Sequence, residues 1–169
     1  MALAESPAHD ERRYFEDFVP GMEAEYGTVA VDAEEIVAFA RKYDPQEFHT
    51  DPVRAAQGEF GGLIASGWHT ASLMMRLLVD RYLSNVASLG SPGVDELRWL
   101  APVRPGNRLS IRVTVLDARR SRSKPHCGLV RSFIEVLNEA GTVVMTVKGM
   151  TLMRCRDAGN QPARSAPDP

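Results

Sequence analysis

The apolar positions change their period along the chain, and each change marks an element. Ala24, Tyr26 and Thr28 to Val31 read as a strand opened by the Pro20-Gly21 turn. Asp32 stands three residues before Glu35, the spacing of a capping box. Ile36, Phe39, Ala40 and Tyr43 follow at i, i+3, i+4 and i+7, giving a helix with one apolar face. Pro45 pushes Asp44 out of helical geometry and closes that helix. Asp51-Pro52 supplies an N-cap and a proline at the first helical position, so a short helix starts there and ends near Gly58.

Gly61-Gly62 and then Ser66-Gly67 precede the longest helical segment, Trp68 to Leu83. Its apolar residues cover most of its circumference, as expected of a helix enclosed by other structure. From Val94 onward the period is two. Leu109, Ile111, Val113 and Val115 alternate with polar residues, Gly128 to Leu137 is rich in Val, Ile and Phe, and Thr142 to Met153 alternates again. Adding Val94 to Trp99 and the N-terminal strand gives about five strands. This order predicts an α+β fold in which a curved antiparallel sheet wraps one long central helix. Residues 14–154 form that single domain. Residues 1–13 and 155–169 have no sustained period and read as tails.

Composition narrows the class. The chain has 169 residues, 44% hydrophobic and 25% charged, enough to bury a core without disulfide or metal staples. A net charge of -2 supplies no global positive field to gather nucleic acid or anionic lipid. Leu73 to Val79, the most apolar helical stretch, is broken by Arg76 and falls far short of the roughly 20 residues that span a bilayer. Met1 to Arg13 lacks the apolar core of a signal peptide. A cytoplasmic protein with reduced cysteines, Cys127 and Cys155, is expected.

Of the four histidines, His9 falls in a tail, His126 in a hairpin loop and His69 at the start of the core helix, where a packed role suits it. His49 lies in the connection between two helices, five residues after Asp44 across a proline turn. A carboxylate and an imidazole converging on one water suit acid–base chemistry. The alternative is that Asp44 caps the turn and His49 merely bonds to it. Neither side chain is expected to fill the core. No metal is expected, because His49, Asp51 and His69 lack metal-ligand spacing. The Gly67 amide, at the start of the core helix, could receive a carbonyl or oxyanion, or the glycine could serve close packing. Arg119 to Lys124 reads as a solvated hairpin tip or, alternatively, as a contact for a ligand's phosphates.

Three segments together resemble the MaoC-like dehydratases, the group containing the (R)-specific enoyl-CoA hydratases. They are Asp44-Pro-Gln-Glu-Phe-His49-Thr-Asp51, Gly62-Leu-Ile-Ala-Ser-Gly67-Trp and Leu100-Ala-Pro-Val-Arg-Pro-Gly106-Asn. The resemblance implies a hot-dog fold and a homodimer or dimer of dimers. It implies that Asp44 and His49 activate water to hydrate a trans-2-enoyl thioester, of CoA or an acyl carrier, with the Gly67 amide on the thioester carbonyl. Gln46, Ser66 and Trp68 become substrate-binding candidates, and no cofactor is required. The chain departs from the family pattern at Gln46, where asparagine is usual, at Glu47, where proline is usual, and at Ser66, where many members have histidine. The rival readings are a hot-dog thioesterase, which would not need His49, and a non-catalytic acyl-CoA binding module.

Overall fold

The computed structural model describes residues 13–157. The expected tails over 1–12 and 158–169 lie outside the described residues. Five antiparallel strands form one sheet in the order β1-β3-β4-β5-β2. They are β1 (Glu23–Ala30), β2 (Gly93–Trp99), β3 (Arg108–Arg120), β4 (Cys127–Leu137) and β5 (Val143–Arg154). The last three form the expected meander, with β1 and β2 as the two edges. Alternation along β3 turns Leu109, Ile111, Val113 and Val115 inward, all at most 3% exposed. Leu73, Met74, Leu77 and Leu78 of the long helix α4 (Gly67–Arg81) meet that face. Each such side chain, once buried, contributes about 1.5–3 kcal/mol. The helix lying in the concave face of a curved sheet is the hot-dog arrangement.

Three short helices connect β1 to α4. In α1 (Ala33–Tyr43) the Asp32 carboxylate accepts from the Glu34 and Glu35 amides at 2.8 and 3.0 Å. Asp51 does the same for α3 (Pro52–Gln57), accepting from Val53 and Arg54. Between them lies α2 (Glu47–Thr50), in the connection that the sequence pattern reads as a loop. Its single turn closes through the His49 amide to the Gln46 carbonyl, 2.9 Å, and the Asp51 amide to the Glu47 carbonyl, 2.9 Å. Four residues are too few to display a period, so this turn was invisible in the pattern.

Two other expectations need correction. The central helix is not enclosed all round: Trp68, Met75 and Val79 are 60%, 48% and 40% exposed. They lie seven and four residues apart, hence on one face. One curved sheet covers one side of a helix, so the opposite stripe stays open. The folded unit also runs past the expected boundaries. Cys155 is fully buried, with its amide bonded to the His126 carbonyl at 2.9 Å. Arg156 forks onto the Asp17 carboxylate at 2.6 and 2.8 Å, and the Arg13 guanidinium lies over the Phe18 and Tyr82 rings. Three residues are too short a stretch for apolar periodicity to reveal such anchoring. Among the described residues, no helix is long and apolar enough to cross a membrane.

Candidate active site

The segment from Gly61 to Ser66 decides where the site forms. Gly61 turns at φ +61°, a backbone state that favours glycine. The chain beyond it is then strapped on both sides. The Ile64 amide donates to the Phe48 carbonyl on α2 at 3.2 Å, and the Ala65 amide donates to Val103 at 2.8 Å. This fixes the Ile64 carbonyl 2.8 Å from Nδ1 of His49. A carbonyl oxygen only accepts, so Nδ1 carries the proton, and the lone pair of the neutral ring lies on Nε2. Nε2 in turn stands 3.4 Å from Oδ2 of Asp44.

Asp44, at the C-cap of α1, is held by two donors. Ser66 Oγ donates to Oδ2 at 2.7 Å and Gln46 Nε2 donates to Oδ1 at 2.8 Å. The Ser66 bond first, then the Gln46 bond, and then the neighbouring imidazole outweigh partial desolvation and keep this carboxyl below the usual aspartate range. Asp44 is therefore ionised at neutral pH. The carboxylate caps no backbone amide of the turn: its two bonds go to the Ser66 and Gln46 side chains, and it approaches His49 Nε2 at 3.4 Å.

The sequence candidates fall into two groups. Asp44, Gln46, His49, Gly67 and Trp68 all line one cavity of about 480 Å³. Ser66 does not line it, being fully buried. Its hydroxyl is used twice, donating to Asp44 and accepting the Trp68 amide at 3.3 Å as the N-cap of α4. The substrate-contact expectation for Ser66 is thus replaced by a positioning role. His49 also differs from expectation: it is 5% exposed and packs edge-on against Phe48 at 4.3 Å, so it does fill space.

Trp99 was missed. It ends edge strand β2 and lines the same cavity, in edge contact with Trp68 at 5.3 Å between ring centroids. Its indole lies directly over Gly67, so that a Cβ there would overlap the ring, with Cδ2 at 2.8 Å. The packing reading of Gly67 holds, since the residue must be small to admit Trp99; as the first residue of α4, its amide has no intrahelical acceptor. The only hint in the sequence was a large apolar residue at the last position of a strand. His69, by contrast, does not line the cavity. It stacks on Phe39 at 4.9 Å, and burial pushes its pKa down, partly opposed by Glu35.

Comparisons with known proteins agree with this picture. The MaoC_dehydratas family model, described as "MaoC like domain", matches residues 17–136. The solved MaoC-like dehydratase from Rhodospirillum rubrum is 38% identical, superimposes with a TM-score of 0.79, and the match covers 85% of this chain and 98% of that one. An uncharacterized Bacillus subtilis protein, YdeM, is 26% identical over 73% of this chain and 86% of its own. The 3-hydroxyacyl-thioester dehydratase Z of Mycobacterium tuberculosis is 39% identical over 83 residues, which is 48% of this chain and 55% of that one. The match runs from Asp17, through the carboxylate–imidazole pair and α4, to Val136 in β4, and on that ground this chain belongs to the MaoC-like dehydratase family.

Proposed function

We propose that the protein is a hydratase/dehydratase that adds water reversibly to a trans-2-enoyl thioester. The observation that carries this reading is the fixed tautomer of His49. Its Nδ1–H is committed to the Ile64 carbonyl, and its Nε2 lone pair faces an ionised carboxylate across 3.4 Å at a cavity wall. A water bound there can give a proton to Nε2 as its oxygen bonds to C3. The displaced π electrons reach the thioester oxygen as an enolate, and in this reading the Gly67 N–H receives that charge, assisted by the α4 dipole. The imidazolium, stabilised by Asp44, then returns a proton to C2 on the same face, and the carbonyl re-forms. Base and acid are thereby one residue, with Asp44 as its ionised partner.

A thioesterase would leave this use of His49 unexplained. Hydration of crotonyl-CoA, followed as loss of enoyl absorbance without thiol release, is the expected outcome. Thiol release in its place would overturn the reading.

We further propose that two copies pair through β2. That edge carries Val94, Trp99 and the following Leu100, which are 58%, 47% and 55% exposed, beside the open stripe of α4. An open strand edge next to an apolar helix face is a surface for a twin, and a two-fold axis would run β2 antiparallel to itself. Light scattering at micromolar concentration should give a dimer mass or a multiple of it; a monomer would contradict this.

A further inference from the structure

The strap that gives His49 its tautomer begins at a loose joint, two glycines in succession. Gly61 and Gly62 take φ of +61° and +156°, and glycine has more backbone freedom than any residue with a side chain. Left to itself, such a joint would let the Ile64 carbonyl drift away from the imidazole. One side chain from elsewhere in the sequence holds it. Arg104, half-buried, donates from Nη2 to the Phe60 carbonyl at 2.6 Å. Its Nη1 lies over Gly62, where a Cβ would stand 3.3 Å from it. The guanidinium therefore grips the peptide before the first glycine and covers the second.

Arg104 is itself well anchored. Pro105 and Gly106, the latter at φ +86°, make the turn that follows it. The Asn107 amide donates to the Arg104 carbonyl at 3.1 Å, and the Arg104 amide donates to Asn107 Oδ1 at 2.8 Å. Asn107 Nδ2 then donates to Glu139 in the β4–β5 turn at 3.0 Å. The residue before Arg104, Val103, takes the Ala65 amide at 2.8 Å. Adjacent residues thus hold both ends of the strap, one by a side chain and one by the main chain. Among the described residues no carboxylate pairs with Arg104, which leaves the Phe60 carbonyl as its acceptor in a charge-assisted bond. Phe60 reaches His49 by a second path as well. Its ring meets Phe48 at 5.3 Å, and Phe48 meets the imidazole edge-on at 4.3 Å. A shift of Phe60 would move both the carbonyl on Nδ1 and the rings behind the imidazole.

We propose that Arg104 is a positioning residue for the hydration step: by holding the Phe60 carbonyl it sets the strap whose Ile64 carbonyl keeps the His49 proton on Nδ1. This rests on the hydratase reading. Arg104 does not line the cavity, so it acts on the reaction through His49 and not through contact with substrate.

The test compares Arg104→Met, which keeps an apolar stem and removes every side-chain donor, with Arg104→Lys, which keeps a charged donor. In Arg104→Met, kcat for crotonyl-CoA should fall about tenfold, short of the roughly 10²-fold that an ångström of misplacement can cost. KM should stay within about twofold of the parent value. Arg104→Lys should recover part of the lost kcat. A raised KM at the parent kcat would make Arg104 a substrate contact and overturn the proposal, as would parent values of both constants. A second readout needs no substrate. In ¹⁵N-labelled protein the ring nitrogens of His49, assigned by their absence from the His49→Ala spectrum, report which one carries the proton. At pH 8 the parent should show Nδ1–H, Arg104→Met a mixture with Nε2–H, and Arg104→Lys a return toward the parent. An unchanged Nδ1–H form in Arg104→Met would mean that Val103 holds the strap alone, and the proposal would fall. A parent that hydrates no enoyl thioester, with the tautomer shift still present in Arg104→Met, would sink the hydratase reading and leave the role of Arg104 on the strap standing. If Arg104→Met does not fold, Gly62→Ala presses a methyl group against the same guanidinium and carries the same expectations on both readouts.

Discussion

His49 and His69 are equally hidden from solvent, at 5% and 6% exposure, yet their surroundings differ in kind. His49 has a partner for each ring nitrogen, a backbone carbonyl on Nδ1 and a carboxylate beyond Nε2. His69 has a buried Nδ1 with no hydrogen-bond partner and a phenyl ring, Phe39, stacked against its face. Burial alone therefore says nothing about chemistry. What separates the two is whether the neighbours fix a tautomer and set the remaining lone pair beside a cavity-lining carboxylate. His49 meets both conditions because α2 and the strapped segment after Gly61 hold it from two sides. His69, two residues into α4, meets only packing atoms.

The sharpest way to break this contrast is to replace the residues on the His49 side. His49→Ala and Asp44→Asn should each slow hydration by about 10²–10⁴-fold, the loss of a positioned proton-transfer group. His49→Ala should also lower stability by about 1–3 kcal/mol, because the Ile64 carbonyl loses its bond from the ring. Asp44→Asn should cost less in folding. Turnover near that of the parent in either variant, measured as enoyl absorbance, would remove the distinction between the two histidines.

Much of this was legible in the sequence, and the unreadable part has physical reasons. The five-residue spacing of Asp44 and His49, the caps at Asp32 and Asp51, and the alternation of β3 and β5 all survive in the folded chain. Two things did not show. One is the second use of Ser66: N-capping is local and readable, whereas its bond to Asp44 joins residues 22 apart. The other is Trp99, whose packing over Gly67 joins the end of an edge strand to the start of a helix. Periodicity reports which face of an element is buried, not which other element will meet it.

Gly67 is the next largest effect. Gly67→Ala should lose about 10²–10³ in turnover if its amide receives enolate charge. The added methyl meets the Trp99 indole first, so the single variant alone is ambiguous. Trp99→Ala makes room and resolves it. If the methyl blocks the oxygen, the loss persists in the Trp99→Ala background; if it acts only by displacing the indole, the loss disappears there.

Ser66→Ala should act more mildly and on two readouts. Loss of the cap costs about 1 kcal/mol in a denaturant titration. Loss of the donor to Oδ2 removes the strongest influence holding the Asp44 carboxyl low, so its NMR titration midpoint should rise. An unchanged midpoint would reduce Ser66 to a cap.

The smallest effect tests the His69 side, and its sign follows from burial. Desolvation holds the folded-state pKa of His69 below its ordinary 6.5, with Glu35 opposing. Between those two values the unfolded chain binds a proton that the folded chain refuses, so stability rises with pH across that window. Lowering the pH below about 6.5 therefore removes stability until the folded pKa is reached. His69→Phe keeps a ring against Phe39 and discards the unpartnered nitrogen. It should fold about 1 kcal/mol more stably at pH 8, where His69 is neutral in both states. Its advantage over the parent should widen as the pH falls from 7 to 5, because the variant has no proton to refuse at this position. Hydration rates should stay close to the parent's throughout, since residue 69 does not line the cavity. A stability difference that stays constant from pH 8 to 5 would mean that His69 is free to protonate in place, and that its surroundings are more polar than Phe39 and an empty Nδ1 imply.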